Sequence, residues 1–271
     1  MKESLSYQAF KKSPYSTIKH TTYFQAYDDL FSSYRGKEIT FVEVGVLGGG
    51  SLFMWRDFFG PKARIIGIDL NPNAKKWEDH GFEIFIGSQS DQAFWKKFSH
   101  EIGPIDIILD DGGHTYEQQI ITTESLLGNI KDGGMIVVED THTSYMDGFG
   151  PKKYSFVEYT KNIFDNINQR FGKFSSHSAD QRIWSIEIFE SIVAFKINKK
   201  ASSLTSELTD NTGINDHAED FRYSDNAGLS SLTRVGKKFR FLKNVPGVQF
   251  AERFIRGLIV SWNFKAKKYF N

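Results

Sequence analysis

From residue 39 to residue 197 the sequence alternates short apolar segments with longer segments of helical periodicity. This alternation is the strongest constraint on the fold, because strands joined by helices form a parallel sheet through right-handed crossovers. Two closely spaced apolar segments near residue 190 predict an antiparallel hairpin at the sheet edge. The pattern therefore predicts an α/β fold with a mostly parallel, seven-stranded sheet. The predicted strands are Ile39–Gly45, Arg64–Asp69, Phe82–Gly87, Ile105–Asp110, Met135–Asp140, Ile183–Phe189 and Ile192–Ile197, and the predicted helices are Ser51–Phe59, Gln92–Ile102, Tyr116–Leu127 and Lys152–Phe171.

The sequence divides into four parts by composition. Residues 1–38 predict a helical lead-in, residues 39–197 the domain with the sheet, and residues 198–233, rich in Ser, Asn, Asp and Gly, a polar linker or loop. Residues 234–271 carry ten basic residues against one glutamate and have apolar residues at helical spacing. They predict a basic amphipathic helix, which either contacts an anionic membrane surface peripherally, packs on the domain or forms the interface of a homo-oligomer.

Composition excludes several classes of protein. The chain has no cysteine, which rules out disulfide scaffolds, thiol nucleophiles and zinc sites with cysteine ligands. No segment has the pattern of a secretory signal or the length of a membrane span, so a cytoplasmic protein is expected. Nucleic-acid binding is not expected, because the residues before 234 carry more acids than bases and no recognition motif is present.

A glycine-rich loop, Glu43–Ser51 (EVGVLGGGS), follows the first predicted strand and precedes a helix. Glycines let a backbone approach a ligand closely, and a helix N-terminus offers free N–H groups. The spacing differs from the dinucleotide fingerprint and from the P-loop. The Glu43 carboxylate would repel a pyrophosphate but would suit a ligand with an ammonium group, such as the methionine part of S-adenosylmethionine (SAM). The alternative is a turn whose glycines serve packing alone.

Two further strand ends carry polar residues that suit a nucleoside. Asp69 ends the second predicted strand, where a carboxylate can accept hydrogen bonds from both ribose hydroxyls. Ser88 and Gln89 follow the third strand, at the position expected for the adenine edge. The alternative for this segment is a helix cap, which Ser90 or Asp91 could supply.

Acids and histidines cluster after the fourth and fifth strands. Because these strands are expected to be neighbours, their carboxylates meet at one edge, where a divalent cation relieves their mutual repulsion. Oxygen ligands favour Mg²⁺, Mn²⁺ or Ca²⁺ over zinc. Glu139 and Asp140 are adjacent, so both can face one ion only if the strand ends there; otherwise an acid of the cluster caps a helix. The predicted ligands are Asp111, Glu139 and Asp140.

Two histidines belong to the same cluster. His114 lies three residues after Asp111 in a loop that begins with two glycines. Imidazole titrates near neutrality and suits a general base, so His114 is the predicted base. His142 is a second candidate catalytic residue, which we expect to face the substrate.

These motifs resemble those of a known family. The segments that carry the resemblance are EVGVLGGGSLFMWRDFF, IIGIDLNP, IGSQSD, ILDDGGHTYEQ and VVEDTHTSY. They are similar to the metal-dependent sugar O-methyltransferases of macrolide biosynthesis (mycinamicin type), and to rhamnosyl O-methyltransferases and cephalosporin-hydroxylase-like proteins. The resemblance covers roughly residues 15–197, and its most specific part is the pair of blocks DDGGH and VVEDTHTSY at their mutual spacing.

The resemblance implies a Rossmann-like class I methyltransferase fold with SAM at the glycine loop and Mg²⁺ (or Mn²⁺) at the acidic edge. The lead-in segment Ser16–Tyr27 is also similar, but it has Ile18-Lys19-His20 where the family has Asp-Lys-Gly, and no role is assigned to it. The residues implied for SAM are Glu43, Gly45, Gly49, Ser51, Asp69, Ser88, Gln89 and Asp110, those implied for the metal are Asp111, Glu139 and Asp140, and the implied base is His114.

The implied reaction is transfer of a methyl group from SAM to a sugar hydroxyl of a glycan, glycolipid or glycosylated metabolite. Coordination to the cation would lower the pKa of the hydroxyl, and His114 would take its proton. Three alternatives stay open at this point: O-methylation of a non-sugar natural product, a nicotinamide-dependent oxidoreductase, and a non-catalytic binding module with the same fold.

Overall fold

The computed structural model describes residues 4–171, 182–214, 226–238, 247–262 and 265–270. The chain divides into two compact units, Met1–Leu208 and Thr209–Asn271. The first unit contains a sheet with helices on both faces, and the described part of the second is helical.

The first unit is built on a seven-stranded sheet with the spatial order β3-β2-β1-β4-β5-β7-β6. Strands β1 to β5 run parallel, and β7 is antiparallel to both β5 and β6. The predicted Rossmann-like sheet with an antiparallel C-terminal hairpin is therefore confirmed. The strand order reverses between β1 and β4, which places the ligand crevice at the carboxyl ends of these strands. The strands are β1 (Thr40–Val44), β2 (Arg64–Asp69), β3 (Glu83–Ile86), β4 (Ile105–Asp110), β5 (Ile130–Val138), β6 (Ile183–Phe189) and β7 (Ile192–Ile197).

Helices cover the two faces of the sheet. Successive strand residues point to opposite faces, so Phe41 belongs to a core cluster with the first three helices, and Val42 belongs to a second cluster with the next three. The helices are α1 (Leu5–Lys12), α2 (Tyr23–Phe31), α3 (Gly50–Phe59), α4 (Gln92–Ile102), α5 (Tyr116–Leu126), α6 (Phe156–Gln169) and α7 (Lys199–Ser202), with 3₁₀ turns at Ser32–Tyr34, Pro72–His80, Thr141–Tyr145 and Lys152–Tyr154.

Two element boundaries differ from the prediction by more than two residues. β5 begins before the predicted strand, because Ile130 already pairs with Ile105 across a register shift, so residues 131–134, which precede the predicted strand, lie within β5. α6 begins later than predicted, because the Ser155 hydroxyl accepts a hydrogen bond from the N–H of Glu158 and caps the helix there.

The lead-in is fixed to the rest of the first unit by hydrogen bonds. Asp28 on α2 accepts from the N–H groups of Leu5 and Ser6 at the start of α1, both at 2.8 Å. The Ser13 hydroxyl donates to the carbonyl of Gly50 at 2.8 Å. The segment between α1 and α2 is thereby held across the carboxyl ends of the central strands.

The second unit contains α8 (Ala227–Lys238), α9 (Val248–Trp262) and a 3₁₀ turn at Lys265–Tyr269. α8 begins inside the segment predicted as a linker, because Leu229, Leu232 and Val235 recur at helical spacing among its polar residues. The amphipathic helix predicted for residues 234–271 is shorter and corresponds to α9. Its contact with a membrane or a second copy stays a prediction. Among the described residues, no helix is long and apolar enough to cross a membrane.

Candidate active site

A cavity of about 630 Å³ lies at the carboxyl ends of the central strands. It is bordered by the glycine loop, by the ends of β2 to β5 and by lead-in residues 16–20. Most of the predicted site residues line it together. These are Gly45, Ser51, Asp69, Ser88, Gln89, Asp111, His114, Glu139 and Asp140.

The glycine loop is held in place by Asp69 and by close backbone packing. The Asp69 Oδ2 accepts from the N–H groups of Val46 and Leu47 at 3.0 and 2.9 Å. Gly45 has a φ of +90°, and a Cβ there would lie 2.1 Å from the carbonyl oxygen of Asp111, so glycine is required. Asp69 therefore shapes the loop and also faces the cavity.

Gly49 is not among the residues that line the cavity. Its φ is +77°, and a Cβ at this position would lie 2.2 Å from the indole of Trp77. Gly49 thus allows the start of α3 to pack against Trp77. Its predicted contact with the cofactor is replaced by this packing role, which positions its neighbours Gly48 and Gly50 on the cavity wall.

Glu43 was predicted to face the methionine part of SAM, but its carboxylate lies beneath the loop. Glu43 is fully buried and accepts hydrogen bonds from the Ser51 hydroxyl at 2.8 Å and from the Trp55 indole N–H at 2.9 Å. Burial raises the pKa of the Glu43 carboxyl to about 7, although Lys19 opposes the shift. Glu43 therefore anchors α3 to β1, and it supports the cavity wall through Ser51.

Asp110 is likewise buried instead of facing the cavity. Its Oδ1 accepts from the Gln89 Nε2 at 2.7 Å and from the N–H of Gly112 at 3.2 Å. The Gln89 Oε1 in turn accepts from the N–H of Gly113 at 2.9 Å. Burial raises the pKa of the Asp110 carboxyl to about 7. This network holds Gln89 and the loop after β4 in place, and a direct contact of Asp110 with the cofactor stays a prediction.

The acid and histidine cluster forms at the far side of the cavity. Suitable ligand atoms of Asp111, His114 and Asp140 all lie within 4.8 Å of one another. We call these three residues the acidic rim. The His114 Nε2 lies 3.3 Å from the Asp140 Oδ2, and the His114 Nδ1 is buried without a hydrogen-bond partner among the described residues. Such an orphaned nitrogen is typical of a site that receives a ligand or a proton.

The backbone explains how adjacent acids reach one site. β5 ends at Val138, and Asp140 then adopts a left-handed conformation with a φ of +55°. His114 has a similar φ of +57°. A left-handed conformation at a non-glycine residue costs on the order of 1–3 kcal/mol and is concentrated at functional sites. The condition set by the sequence, that the strand ends before both acids, is met.

Glu139, the third predicted metal ligand, lies deeper than the acidic rim. It is buried, its Oε1 accepts from the Tyr27 hydroxyl at 2.5 Å, and its Oε2 accepts from the Lys19 ammonium at 2.9 Å. Both carboxylate oxygens thus have partners from the lead-in. Tyr23, one helical turn before Tyr27, donates to the Asp140 Oδ1 in the same way. The lead-in therefore supplies α2 hydroxyls to both acids that follow β5.

Lys19, to which the sequence assigned no role, lies between two acids of the site. Its ammonium lies 2.5 Å from the Asp111 Oδ2 and 2.9 Å from the Glu139 Oε2, and its side chain is 1% exposed. Burial alone would lower the pKa of Lys19, but Asp111 and Glu139 raise it well above its ordinary value. Lys19 therefore stays charged between two of the three predicted metal ligands.

His142 lies at the opening of a second cavity, of about 960 Å³. Its Nδ1 pairs with the Ser191 hydroxyl and lies 3.9 Å from the Asp140 Oδ1. The imidazole of His20 packs edge-on against it, with ring centroids 5.8 Å apart. His20 and Tyr23 line both cavities, so the two cavities adjoin at these side chains.

The fold and this cavity define the class of protein. Residues 42–141 match the family model described as a methyltransferase domain, Methyltransf_24. This part of the chain is therefore similar to a methyltransferase domain, as the motifs predicted. This match gives no support to the alternative of a nicotinamide-dependent oxidoreductase.

Within this class the chain is similar to sugar O-methyltransferases, as the resemblance indicated. It is 35% identical over 198 residues to 8-demethyl-8-alpha-L-rhamnosyl tetracenomycin-C 2'-O-methyltransferase of Streptomyces olivaceus, covering 67% of this chain and 51% of that protein. It is 34% identical over 131 residues to mycinamicin VI 2''-O-methyltransferase of Micromonospora griseorubida, covering 46% and 32%. The chain thus spans about half the length, or less, of these relatives.

A solved structure supports the same assignment. The MycE methyltransferase of the mycinamycin biosynthetic pathway, in complex with Mg, SAH and mycinamycin VI, is 25% identical and superposes with a TM-score of 0.65. The match covers 76% of this chain and 55% of MycE.

Proposed function

We propose that this chain is a SAM-dependent O-methyltransferase that acts on a sugar hydroxyl of a glycosylated small molecule, with a divalent cation such as Mg²⁺. One observation carries the proposal: Asp111, His114 and Asp140 of the acidic rim line the same cavity as the glycine loop and Asp69. A nucleoside-binding half and an acid–base half therefore share one cavity. The relatives named above support the substrate class, since both act on glycosylated compounds.

SAM would lie along the glycine loop. The loop backbone and the start of α3 face its methionine part, and Asp69 faces the ribose. Ser88 and Gln89 line the adenine end, where Asp110 fixes the Gln89 amide. The bound cofactor supplies a methyl group on a sulfonium, which is already electrophilic. The residues of the chain therefore have to align the acceptor and remove its proton.

The acidic rim has the donor set for a divalent cation. Asp111, Glu139 and Asp140 bring three carboxyl groups together with the single ammonium of Lys19. Burial and the nearby Asp111 raise the pKa of Glu139 well above its ordinary value, so the negative charge is concentrated at Asp111 and Asp140. Asp111 and Asp140 would hold the ion beside His114, and Glu139 would lie behind them, where it binds Lys19 and Tyr27. A bound cation would lower the pKa of the sugar hydroxyl. Oxygen ligands favour Mg²⁺ or Mn²⁺.

His114 is the proposed base. The Asp140 carboxylate lies beside its Nε2 at 3.3 Å, and a neutral ring with its proton on this side would have Nδ1 as its proton acceptor. That nitrogen is buried and has no partner among the described residues. It therefore accepts the proton of the acceptor hydroxyl during methyl transfer.

The second cavity would hold the apolar part of the acceptor. It is bordered by α6 and the β6–β7 hairpin, and it joins the acidic rim at His20 and Tyr23. Its wall includes apolar side chains that are largely exposed, such as Phe164 and Ile188, which are 60% and 69% exposed. A sugar at the rim would therefore extend its aglycone along this wall, where apolar contact stabilises binding.

The direct test of the proposed function is a methyl-transfer assay with isotopically labelled SAM, Mg²⁺ and rhamnosides of aromatic and polyketide aglycones. We expect label on the sugar of at least one acceptor. The reaction should give equal amounts of S-adenosylhomocysteine and methylated product. Absence of SAM binding by calorimetry would contradict the proposal at its first step, whichever acceptor is used. Label on a non-sugar hydroxyl would instead support the alternative of a non-sugar natural product.

Replacing Phe164 with serine tests the acceptor surface. We expect the KM for an aryl or long-alkyl rhamnoside to rise about 5–30-fold and the KM for methyl rhamnoside to stay unchanged. Full burial of a large apolar side chain contributes roughly 1.5–3 kcal/mol, and the substitution removes part of this contribution. Steady-state kinetics with the two acceptors gives the comparison. Phe171 is also exposed but does not border the cavity, so Phe171→Ser is the matched control. Equal changes for both acceptors would show that Phe164 does not contact the aglycone.

Asp69→Ala tests the cofactor half of the site. The substitution removes the acceptor for two loop N–H groups and for the ribose hydroxyls. Because a hydrogen bond to a charged group contributes roughly 1.5–3 kcal/mol, we expect SAM to bind about 10–100-fold more weakly. At saturating SAM, kcat should change much less. Calorimetry and kinetics separate the two effects. Asp57→Ala, at an acid paired with Lys12 on the surface, is the control, and a large loss of kcat with unchanged SAM affinity would refute the assignment.

A further inference from the structure

The inner side of the acidic rim already contains a cation. The Lys19 ammonium bridges Asp111 and Glu139 at 2.5 and 2.9 Å, at a position that water scarcely reaches. Its stem packs near the ring of Tyr27, with the ammonium 5.7 Å from the ring centroid. The Tyr27 hydroxyl takes the other oxygen of Glu139. Each oxygen of Glu139 thus already has a partner from the lead-in.

Two consequences follow from this position. Two acidic side chains this close to each other are stabilised by the ammonium, and removal of one partner of a buried pair leaves an uncompensated charge. The same ammonium repels any further cation that binds at the rim, because like charges a few ångströms apart interact strongly in a buried site. Lys19 thus stabilises the protein without metal and opposes metal binding.

We propose that Lys19 is a built-in cation of the acidic rim, which occupies the inner position between Asp111 and Glu139 and so restricts the divalent ion to the outer position at Asp111 and Asp140. Lys19 is then a positioning residue: it acts on the metal through the two acids that it binds. The proposal rests on the proposed function for the presence of the divalent ion. A purely structural lysine would have the opposite effect on metal affinity, because its loss would loosen the acids that bind the ion.

The test is Mn²⁺ binding to the full chain, measured by calorimetry and by electron paramagnetic resonance without SAM or acceptor. Lys19→Met keeps the length and packing of the stem and removes the charge. We expect it to bind Mn²⁺ at least 10-fold more tightly than the wild type, and we expect Mn²⁺ to raise its melting temperature by more than that of the wild type. Lys12→Met, at an exposed lysine paired with Asp57, is the matched control and should bind as the wild type does.

A second comparison does not depend on whether Lys19→Met folds without metal. In the Glu139→Gln background the inner position carries one acid fewer. Removal of the Lys19 ammonium then leaves Asp111 alone without its charged partner, instead of both acids. We expect Lys19→Met with Glu139→Gln to bind Mn²⁺ more tightly than Glu139→Gln alone. Equal or weaker binding in either comparison, or no Mn²⁺ binding by any of these proteins, overturns the proposal. Failure of methyl transfer with the expected binding pattern would overturn the proposed function alone.

Discussion

Replacing His114 with alanine is expected to lower kcat for methyl transfer by about 10²–10⁴-fold, the usual contribution of a general base. The His114 Nδ1 is buried and has no hydrogen-bond partner among the described residues, and the Nε2 on the other side of the ring lies 3.3 Å from Asp140. The acceptor hydroxyl then has no group to take its proton, whereas SAM still binds the glycine loop. Single-turnover kinetics at saturating SAM and acceptor measures the loss.

The control for this substitution is His100→Ala, at an exposed histidine near the end of α4. It should leave kcat and the affinity for SAM unchanged. His114 adopts a left-handed backbone conformation, so circular dichroism of His114→Ala has to show a native fold before its rate is interpreted. Activity equal to the wild type in a folded variant would remove His114 from the reaction.

The strands of the sheet could be predicted closely because their sequence signal is local. β2 and β4 are short apolar runs that end in Asp69 and Asp110, and the structure ends both strands at these residues. The start of β5 was predicted too late, because Gly133 and Gly134 are typical of a turn when the sequence is considered in isolation. Pairing with the edge of β4 extends that strand through them. A tertiary contact thus overrides the local preference.

The burial of two acids could have been found from strand periodicity. Glu43 follows Phe41 by two residues, so both side chains lie on the face of β1 that α3 covers. Asp110 follows Ile108 in the same way on the opposite face, which the second core cluster occupies. Alternation therefore predicts that these acids support the site from beneath. The resemblance placed them in contact with the cofactor because it carries no information on which face each side chain takes.

The contact of Lys19 with the acidic rim could not be predicted from the sequence. Lys19 and Glu139 are separated by 120 positions, and no local pattern relates them. Their contact depends on how the lead-in crosses the strand ends, which the Ser13–Gly50 and Asp28 hydrogen bonds determine. The sequence signal was a lysine between Ile18 and His20, in a segment already similar to the family.

The rim as a whole shows how charge is distributed between chain and ligand. Tyr23 and Tyr27 donate to Asp140 and Glu139, and burial raises the pKa of both hydroxyls, so they stay neutral donors. Lys19 supplies the single positive charge of the chain among these contacts. The remaining negative charge lies at Asp111 and Asp140, where the cavity opens. Asp111 and Asp140 would hold a divalent ion in the cavity that the glycine loop also borders.

Removal of divalent cations is therefore expected to reduce methyl transfer by at least about 10²-fold, because the acceptor hydroxyl loses the charge that lowers its pKa. Turnover in EDTA, followed by addition of Mg²⁺ or Mn²⁺, measures the effect and its recovery. Asp140→Asn should give a similar loss that added Mg²⁺ does not restore, since one ligand and the partner of His114 are both weakened. Asp147→Asn, at an exposed acid that pairs with Lys152 on the surface, is the matched control.

SAM binding distinguishes this loss from damage to the whole site. The cofactor half of the cavity is held by Asp69, Gln89 and the glycine loop, none of which contacts Asp140. Calorimetry should thus give the same SAM affinity for chelated enzyme, Asp140→Asn and wild type to within a few-fold. Undiminished turnover in EDTA, with the metal content of the protein shown to be negligible, would mean that the carboxylates of the acidic rim act without a cation. His114 would then have to take a proton from a hydroxyl whose pKa no cation has lowered. That reaction would require an acceptor more acidic than a sugar hydroxyl.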